Sequence, residues 1–265
     1  MAKRLALLTG LMALSISAPA LADFKTGQEA YARGDHREAF LEWETDADNG
    51  NPIAQFLIGN MYSAGEGVDQ DFEVANSYYR KAAEQGHVES AMQLASNLRL
   101  GQGEPVNYHE AAKWLYMAAE AGHPMARFDL GEMFLYGDKK KMFQPEPYHA
   151  SQWFQLAGFD GIALAQFKLA QQYFDGKGID KDDVKGYAWL TKANRIATGL
   201  DKENKWSKLA MPLDRIIPAE DEDEEDKTFA QLIQEAYAEK TLMLSEEVRH
   251  EAEDILTSGK EEKLR

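Results

Sequence analysis

Between Gly50 and Asn194 the apolar positions form a pattern that returns four times. With the units starting at Gly50, Gly86, Gly122 and Gly161, the intervals are 36, 36 and 39 residues. Eight residues into each unit stands an aliphatic (Ile58, Leu94, Leu130, Leu169), and the next residue is small (Gly59, Ala95, Gly131, Ala170). Four positions after the aliphatic comes a large apolar residue, Tyr62, Leu98, Phe134 or Tyr173. That spacing predicts a helix, with the small residue leaving room for a neighbouring helix. A glycine corner follows, as Gly65-Glu66-Gly67, Gly101-Gln102-Gly103 and Gly176-Lys177-Gly178. Its first glycine can end the helix in the left-handed conformation, and its second permits a tight reversal. A second helix then carries Ala75, Ala111, Ala150 or Gly186, three residues later Tyr78, Trp114, Trp153 or Trp189, and four further Ala82, Ala118, Ala157 or Ala193. An aromatic knob flanked by small positions suits close packing against the next pair. Because no single pair can bury its own apolar face, a fixed repeat of this kind predicts stacked helix pairs.

The flanks are read by the same pattern. Residues 1–22 carry Lys3 and Arg4, an apolar run from Leu5 to Ile16, and Ala20-Leu21-Ala22, the layout of a secretory signal peptide with cleavage after Ala22. Residues 23–49 form a partial repeat, in which Asp35 is expected to cap the second helix. After four full units at 50–85, 86–121, 122–160 and 161–198 the register is lost. The stretch 199–227 is expected to be a linker in which Trp206, Leu209, Leu213, Ile216 and Ile217 recur at helical intervals and seven acids run from Glu220 to Asp226 as a solvated loop. Residues 228–265 predict two amphipathic helices covering the open end of the stack. One carries Phe229, Leu232, Ile233, Ala236 and Tyr237, the other is capped by Ser245, and a frayed tail follows from Gly259.

The repeated residues resemble those of the Sel1-like (Sel-one-like) repeat, a relative of the tetratricopeptide repeat. The resemblance lies in the aliphatic-small step, the glycine corner, the Ala-x-x-Trp/Tyr step and the Ala-Ala-x-x-Gly ending, and covers roughly 170 residues. Two corners depart from the pattern: Gly103 is followed by Glu104-Pro105, and the third unit has Gly137-Asp138 followed by Lys139-Lys140-Lys141 and Pro145-Glu146-Pro147. Both lie in loops, where insertion is tolerated. The expected fold is an all-α, right-handed α-solenoid of stacked antiparallel helix pairs with C-terminal capping helices.

Composition narrows the chemistry. There is no cysteine, which removes disulfides, thiolate nucleophiles, thiolate metal sites and lipidation at the cut site. With 44% hydrophobic residues the chain can still build a core. The net charge of −16, or −18 without the two basic residues of the signal segment, argues against nucleic acid and anionic lipid as partners. No later stretch approaches the ~20 apolar residues needed to span a bilayer.

Candidate sites are few. His109-Glu110 and His250-Glu251 begin like a zinc-protease helix, but Lys113 and Asp254 stand where the second histidine belongs. His87 and His123 follow the repeat glycine and read as corner or capping residues. Asp46-Ala47-Asp48-Asn49-Gly50 opens like a calcium loop without its closing glutamate, and neither a phosphate loop nor a nucleophile elbow occurs. No catalytic residue, cofactor or metal is expected. By analogy with tetratricopeptide stacks, first-helix side chains line a concave face. That analogy brings Asn60, Ser96, Glu132 and Gln171 inward, beside Phe56, Met92, Phe128 and Phe167 and next to Ser63, Arg99, Leu135 and Phe174. A groove mixing aromatics with polar groups suits an extended peptide or a helix. Aromatics at the first of these positions are common in the family as packing residues.

Two functions of different class follow. The resemblance implies a periplasmic scaffold binding a protein or peptide partner, as an envelope regulator or assembly factor. The alternative is a cell-wall-related enzyme or a penicillin-binding, β-lactamase-like repeat protein, weakened by the absence of cysteine and of any nucleophile with its base.

Overall fold

The computed structural model describes residues 18–137, 143–200, 216–217 and 227–264. The apolar run of the signal segment, the lysines 139–141, the run from Trp206 to Leu213 and the acids 220–226 lie outside them. Ten helices reach to the end of the repeats: α1 (Ala18–Ala32), α2 (His36–Asp48), α3 (Pro52–Ala64), α4 (Phe72–Glu84), α5 (Val88–Leu100), α6 (Tyr108–Glu120), α7 (Pro124–Tyr136), α8 (Pro147–Phe159), α9 (Ala163–Asp175) and α10 (Asp183–Ala197). After them come β1 (Ile216–Ile217), β2 (Lys227–Thr228), α11 (Phe229–Met243), α12 (Glu246–Thr257) and a 3-10 turn, Glu261–Leu264. The fold is all-α, built of paired helices joined by short corners. The chain forms two compact units that divide between His87 and Val88.

In the first unit, α1 packs on α2, α2 on α3 and α3 on α4. The core gathers Phe40, Trp43, Ile58 and Met61 around Ala30, Ala39 and Ala54. Helix α1 begins at Ala18, earlier than the sequence pattern places it, because the alanines and Leu21 favour helix and Pro19 falls in the first turn, where its missing N–H costs nothing. Asp35 sits at the cap of α2 but makes no capping bond. Its carboxylate instead accepts from Arg33 Nε at 3.3 Å.

In the second unit the helices from α5 to α10 pack successively, and α11 and α12 both lie on α10. One core spans α7 to the chain end, with Phe154, Leu169, Tyr187, Trp189 and Leu190 joined by Ile233, Ala252, Ile255 and Leu264. Leu264 is fully buried, and its carbonyl accepts from Gln155 Nε2 at 2.7 Å. The segment after Gly259 is therefore docked, which corrects the expectation of a frayed tail. Ser245 caps α12 as expected, accepting from the Val248 N–H. Ile216 and Ile217 belong to no helix. They pair antiparallel with β2, Ile216 opposite Thr228, as two adjacent β-branched residues favour.

Three details explain the repeat. The room left by the small first-helix residue is taken by an aromatic of the paired helix: a Cβ on Gly59 would lie 2.6 Å from the Tyr79 ring, and one on Gly131 would collide with Phe154. The position after the expected knob is thus the constant core position, with Tyr79, Leu115, Phe154 and Leu190 all at most 2% exposed. Of the knobs themselves, Trp189 is fully buried while Tyr78 and Trp153 stay half-exposed.

Second, the corner glycines have separate duties. Gly65 ends α3 in the left-handed conformation, its N–H on the Met61 carbonyl. Gly67 also has positive φ, 73°, and a Cβ there would sit 2.6 Å from the carbonyl carbon of His36, the first residue of α2. Gly178 abuts Pro147, the first residue of α8, in the same way. The second glycine therefore lets one repeat's corner press on the backbone of the previous repeat.

Third, the side chain five residues after the repeat glycine reaches back to the preceding helix end. Gln55 Nε2 donates to Ala47 O at 3.0 Å, Arg127 Nε to Ala119 O at 3.3 Å and Gln166 Nε2 to Gly158 O at 2.8 Å. These bonds satisfy carbonyls that a helix terminus leaves without an intrahelical partner.

Candidate functional site

The predicted contact residues sit on the first helix of each pair, and the two units present them differently. In the first unit, Asn60 is half-buried and its Oδ1 accepts from Tyr79 Oη at 2.8 Å. Burial pushes the Tyr79 phenol up to about 12, so it remains a donor and holds the amide. Phe56 is half-buried between Tyr79, centroids 6.2 Å apart, and His87 at 5.0 Å. Both residues stiffen the pair as much as they offer a surface.

In the second unit, Ser96 on α5 is exposed and Arg99 is half-exposed. Phe128 on α7 has only 2% of its surface accessible and packs on Phe154, centroids 5.9 Å apart. It belongs to the core and has no face for a partner, because its ring fills the space between α7 and α8. Leu135 is likewise buried. Glu132 is half-buried, with Oε1 out of reach of solvent, without a hydrogen bond and 3.7 Å from Lys168 Nζ on α9. Burial raises its carboxyl, while Lys168 and Arg99 pull it back.

Asp129, one turn before Glu132, belongs to the same group. Its carboxyl is pushed up to about 6, chiefly by burial, with Arg99 opposing and Glu132 adding to the rise. Lys168 completes the track, donating to Tyr136 Oη at 2.7 Å and lying 5.1 Å from that ring's centroid. Sequence reasoning missed Asp129 and Lys168. They occupy one register position, seven residues after the repeat glycine, in adjacent repeats, so opposite charges at that position were the available signal.

On α9 three predicted residues converge. Phe167, Gln171 and Phe174 line a cavity of about 190 Å³ with Leu190 of α10 and Ala236 and Lys240 of α11. Lys240 Nζ stands 4.8 Å above the Phe174 ring, a cation–π contact. Tyr237 stacks on Tyr187 at 5.5 Å, and Tyr187 Oη shares a 2.9 Å hydrogen bond with Thr241. The first-helix face of the last repeat is thus partly roofed by α11.

The arrangement can hold a polar or aromatic chain segment by hydrogen bonds and ring contacts. No group of three or more histidines, aspartates or glutamates suited to a metal occurs among the described residues. His123 caps α7, its Nδ1 accepting from Ala126 N–H at 3.3 Å, and His109 lies against Phe143. No helix among the described residues is long and apolar enough to cross a membrane.

The family model for the Sel1 repeat matches residues 52–87, 88–123, 124–158 and 163–195. The chain belongs to the Sel1 repeat family. Such repeats are in general protein-interaction scaffolds without enzymatic activity. A crystal structure of a Sel1 repeat protein from Oxalobacter formigenes is similar with a TM-score of 0.57 and 31% identity, covering 67% of this chain and 69% of that one. An exopolysaccharide production negative regulator of Rhizobium leguminosarum bv. viciae is 29% identical over 184 residues, 64% of this chain and 66% of the relative. A chitin synthase regulator of Saccharomyces cerevisiae is 31% identical over 147 residues, 53% of this chain and 20% of the relative. The chain spans less than two thirds of the length of each of these two Sel1 relatives.

Proposed function

We propose that this Sel1 repeat protein is an exported regulator or assembly factor of the cell envelope, working in the periplasm after loss of a signal peptide ending at Ala22. It binds a protein or peptide partner through the first-helix face of its repeats. The observation that carries this reading is the convergence of Arg99, Asp129, Glu132 and Lys168 across three successive first helices, with Lys168 Nζ 3.7 Å from Glu132 Oε1. Charged groups of both signs that burial keeps partly desolvated offer a partner's polar groups stronger bonds than fully solvated ones would. The aromatic and amide surface of Phe167, Gln171 and Phe174 continues the face on α9. A similar protein named as a negative regulator of exopolysaccharide production favours the envelope as the setting.

Two measurements test the proposal. Cell fractionation with N-terminal sequencing should recover a periplasmic protein beginning at Asp23; a cytoplasmic chain retaining Met1 would overturn the location. Crosslinking from cells carrying Asn60→Ala, Glu132→Ala and Gln171→Ala together should lose a partner that the unaltered protein captures, and retention of every partner would clear this face of the role.

A further inference from the structure

A second cleft lies at the third full repeat, lined mostly by second-helix residues and by none of the predicted contact residues. Its volume is about 550 Å³, and α6, α7 and α8 all contribute to its walls. Small-ligand clefts span ~300–1,000 Å³. Ring surfaces form its apolar part. Tyr116, 51% exposed, meets Trp153 edge-to-face at 5.4 Å, and Phe134 lies 5.6 Å from the His149 ring. Burial of ordinary core apolar residues does not account for Tyr116 and Trp153, which the fold leaves turned partly to solvent.

The polar part is rich in acceptors. Glu146 Oε2 is held by His149 Nδ1 at 2.5 Å, which leaves its other oxygen uncommitted. Gln152 Nε2 donates to Tyr148 Oη at 3.2 Å, and Gln155 Nε2 to the Leu264 carbonyl at 2.7 Å. With those amide nitrogens committed, the carbonyl oxygens of both glutamines remain for a ligand, and the Trp153 indole N–H is a further donor. Among the described residues, no lysine or arginine lines the cleft. Phosphate, sulfate and nucleotide ligands would meet the Glu146 carboxylate directly, and a purely apolar ligand would strip water from several polar groups without replacing their bonds. What matches is an uncharged molecule with hydroxyl donors around its rim and apolar C–H faces that lie on aromatic rings.

We infer that the cleft between α6 and α8 binds a pyranose sugar, one ring of a neutral or N-acetylated saccharide resting on Trp153 and Tyr116, with its hydroxyls donating to Glu146, Gln152 and Gln155. The site is open on one side, so it suits a residue within or at the end of a longer glycan.

Saturation-transfer NMR on the full mature chain, with cellobiose, maltose and N,N′-diacetylchitobiose as probes, tests this. At least one should show transferred saturation on its ring protons, with a Kd on the order of 0.1–10 mM, as an open cleft of few contacts allows. His149→Ala and Gln152→Ala alter exposed side chains and should leave the helical circular dichroism intact while weakening binding roughly tenfold, the loss of about one hydrogen bond. Absence of transfer to all three sugars, or transfer unchanged in the double variant, overturns the proposal. So does a cleft that responds to a lysine-rich peptide and to no saccharide, which would assign it to a basic chain segment.

Discussion

Replacing Asp129 by Asn should stabilise the protein in mild alkali and do almost nothing in weak acid. Burial between the first helices of the second unit lifts the Asp129 carboxyl from 3.8 to about 6, and the opposing pull of Arg99 is already contained in that figure. The shift is roughly two pKa units, each worth about 1.4 kcal/mol, which sets a ceiling of about 3 kcal/mol. The side chain is only half-buried, and solvent screening reduces the effect to about 1–2 kcal/mol. The sign follows from linkage. The folded state holds the proton more tightly than the unfolded one, so this group's stabilising contribution is full below the unfolded pKa and is lost as pH rises through about 6. Asparagine has the shape of the protonated acid and keeps its neutrality at every pH. Urea unfolding followed by tryptophan fluorescence at about pH 8 and about pH 3 should therefore show the Asn variant ahead in the first condition and level in the second. A variant that is less stable at the higher pH, or a difference that does not change with pH, would refute the argument that desolvation dominates at this carboxyl.

Three further outcomes are expected. Gly67→Ala must hold a Cβ at φ 73° and against the His36 carbonyl, so it should cost about 2–4 kcal/mol, read as a fall of roughly 5–15 °C in Tm. Phe154→Ala empties a fully buried position over Gly131 and should cost about 3–5 kcal/mol in denaturant unfolding, whereas Tyr116→Ala, at an exposed position, should cost under about 1 kcal/mol. Deleting residues 259–265 removes the buried Leu264 and its bond from Gln155, and should destabilise the second unit by about 2 kcal/mol or more. An unchanged Tm after that deletion would mean that the tail is ornamental.

The repeat was legible because its signals are local. Ile58, Leu94, Leu130 and Leu169 mark the core at a fixed offset, and all are at most 1% exposed. The corner glycines were legible as turns, but not as contacts, since the proximity of Gly67 to His36 and of Gly178 to Pro147 depends on where the previous repeat lies. The aromatic step is split between two positions: Trp114 and Trp189 are buried as knobs, whereas in the first and third units the next residue, Tyr79 or Phe154, fills the space above Gly59 or Gly131 while Tyr78 and Trp153 stay half-exposed. Both residues of such a pair are apolar, so periodicity alone does not separate them. Phe128 illustrates the same limit at the candidate site, where an aromatic at a face position turns out to be core. Asp129 and Lys168 were missed because a charge on an amphipathic helix ordinarily reads as solvated, and only the neighbouring repeats bury it. The docked tail was illegible for the opposite reason. Its polar residues from Gly259 carry no helical stripe, and a single leucine decides its fate.

That leucine changes how the second unit must assemble. Arrays of helix pairs ordinarily interact only with their neighbours and can grow from either end. Here the carbonyl of Leu264 meets Gln155, 109 positions earlier, and its side chain enters the same core as Trp189 and Phe154. The core of the last repeats therefore cannot be completed by neighbouring helix pairs alone. Closure waits for residue 264 to arrive, and this long-range clasp makes this part of the molecule behave as one cooperative block in place of a string of separable modules.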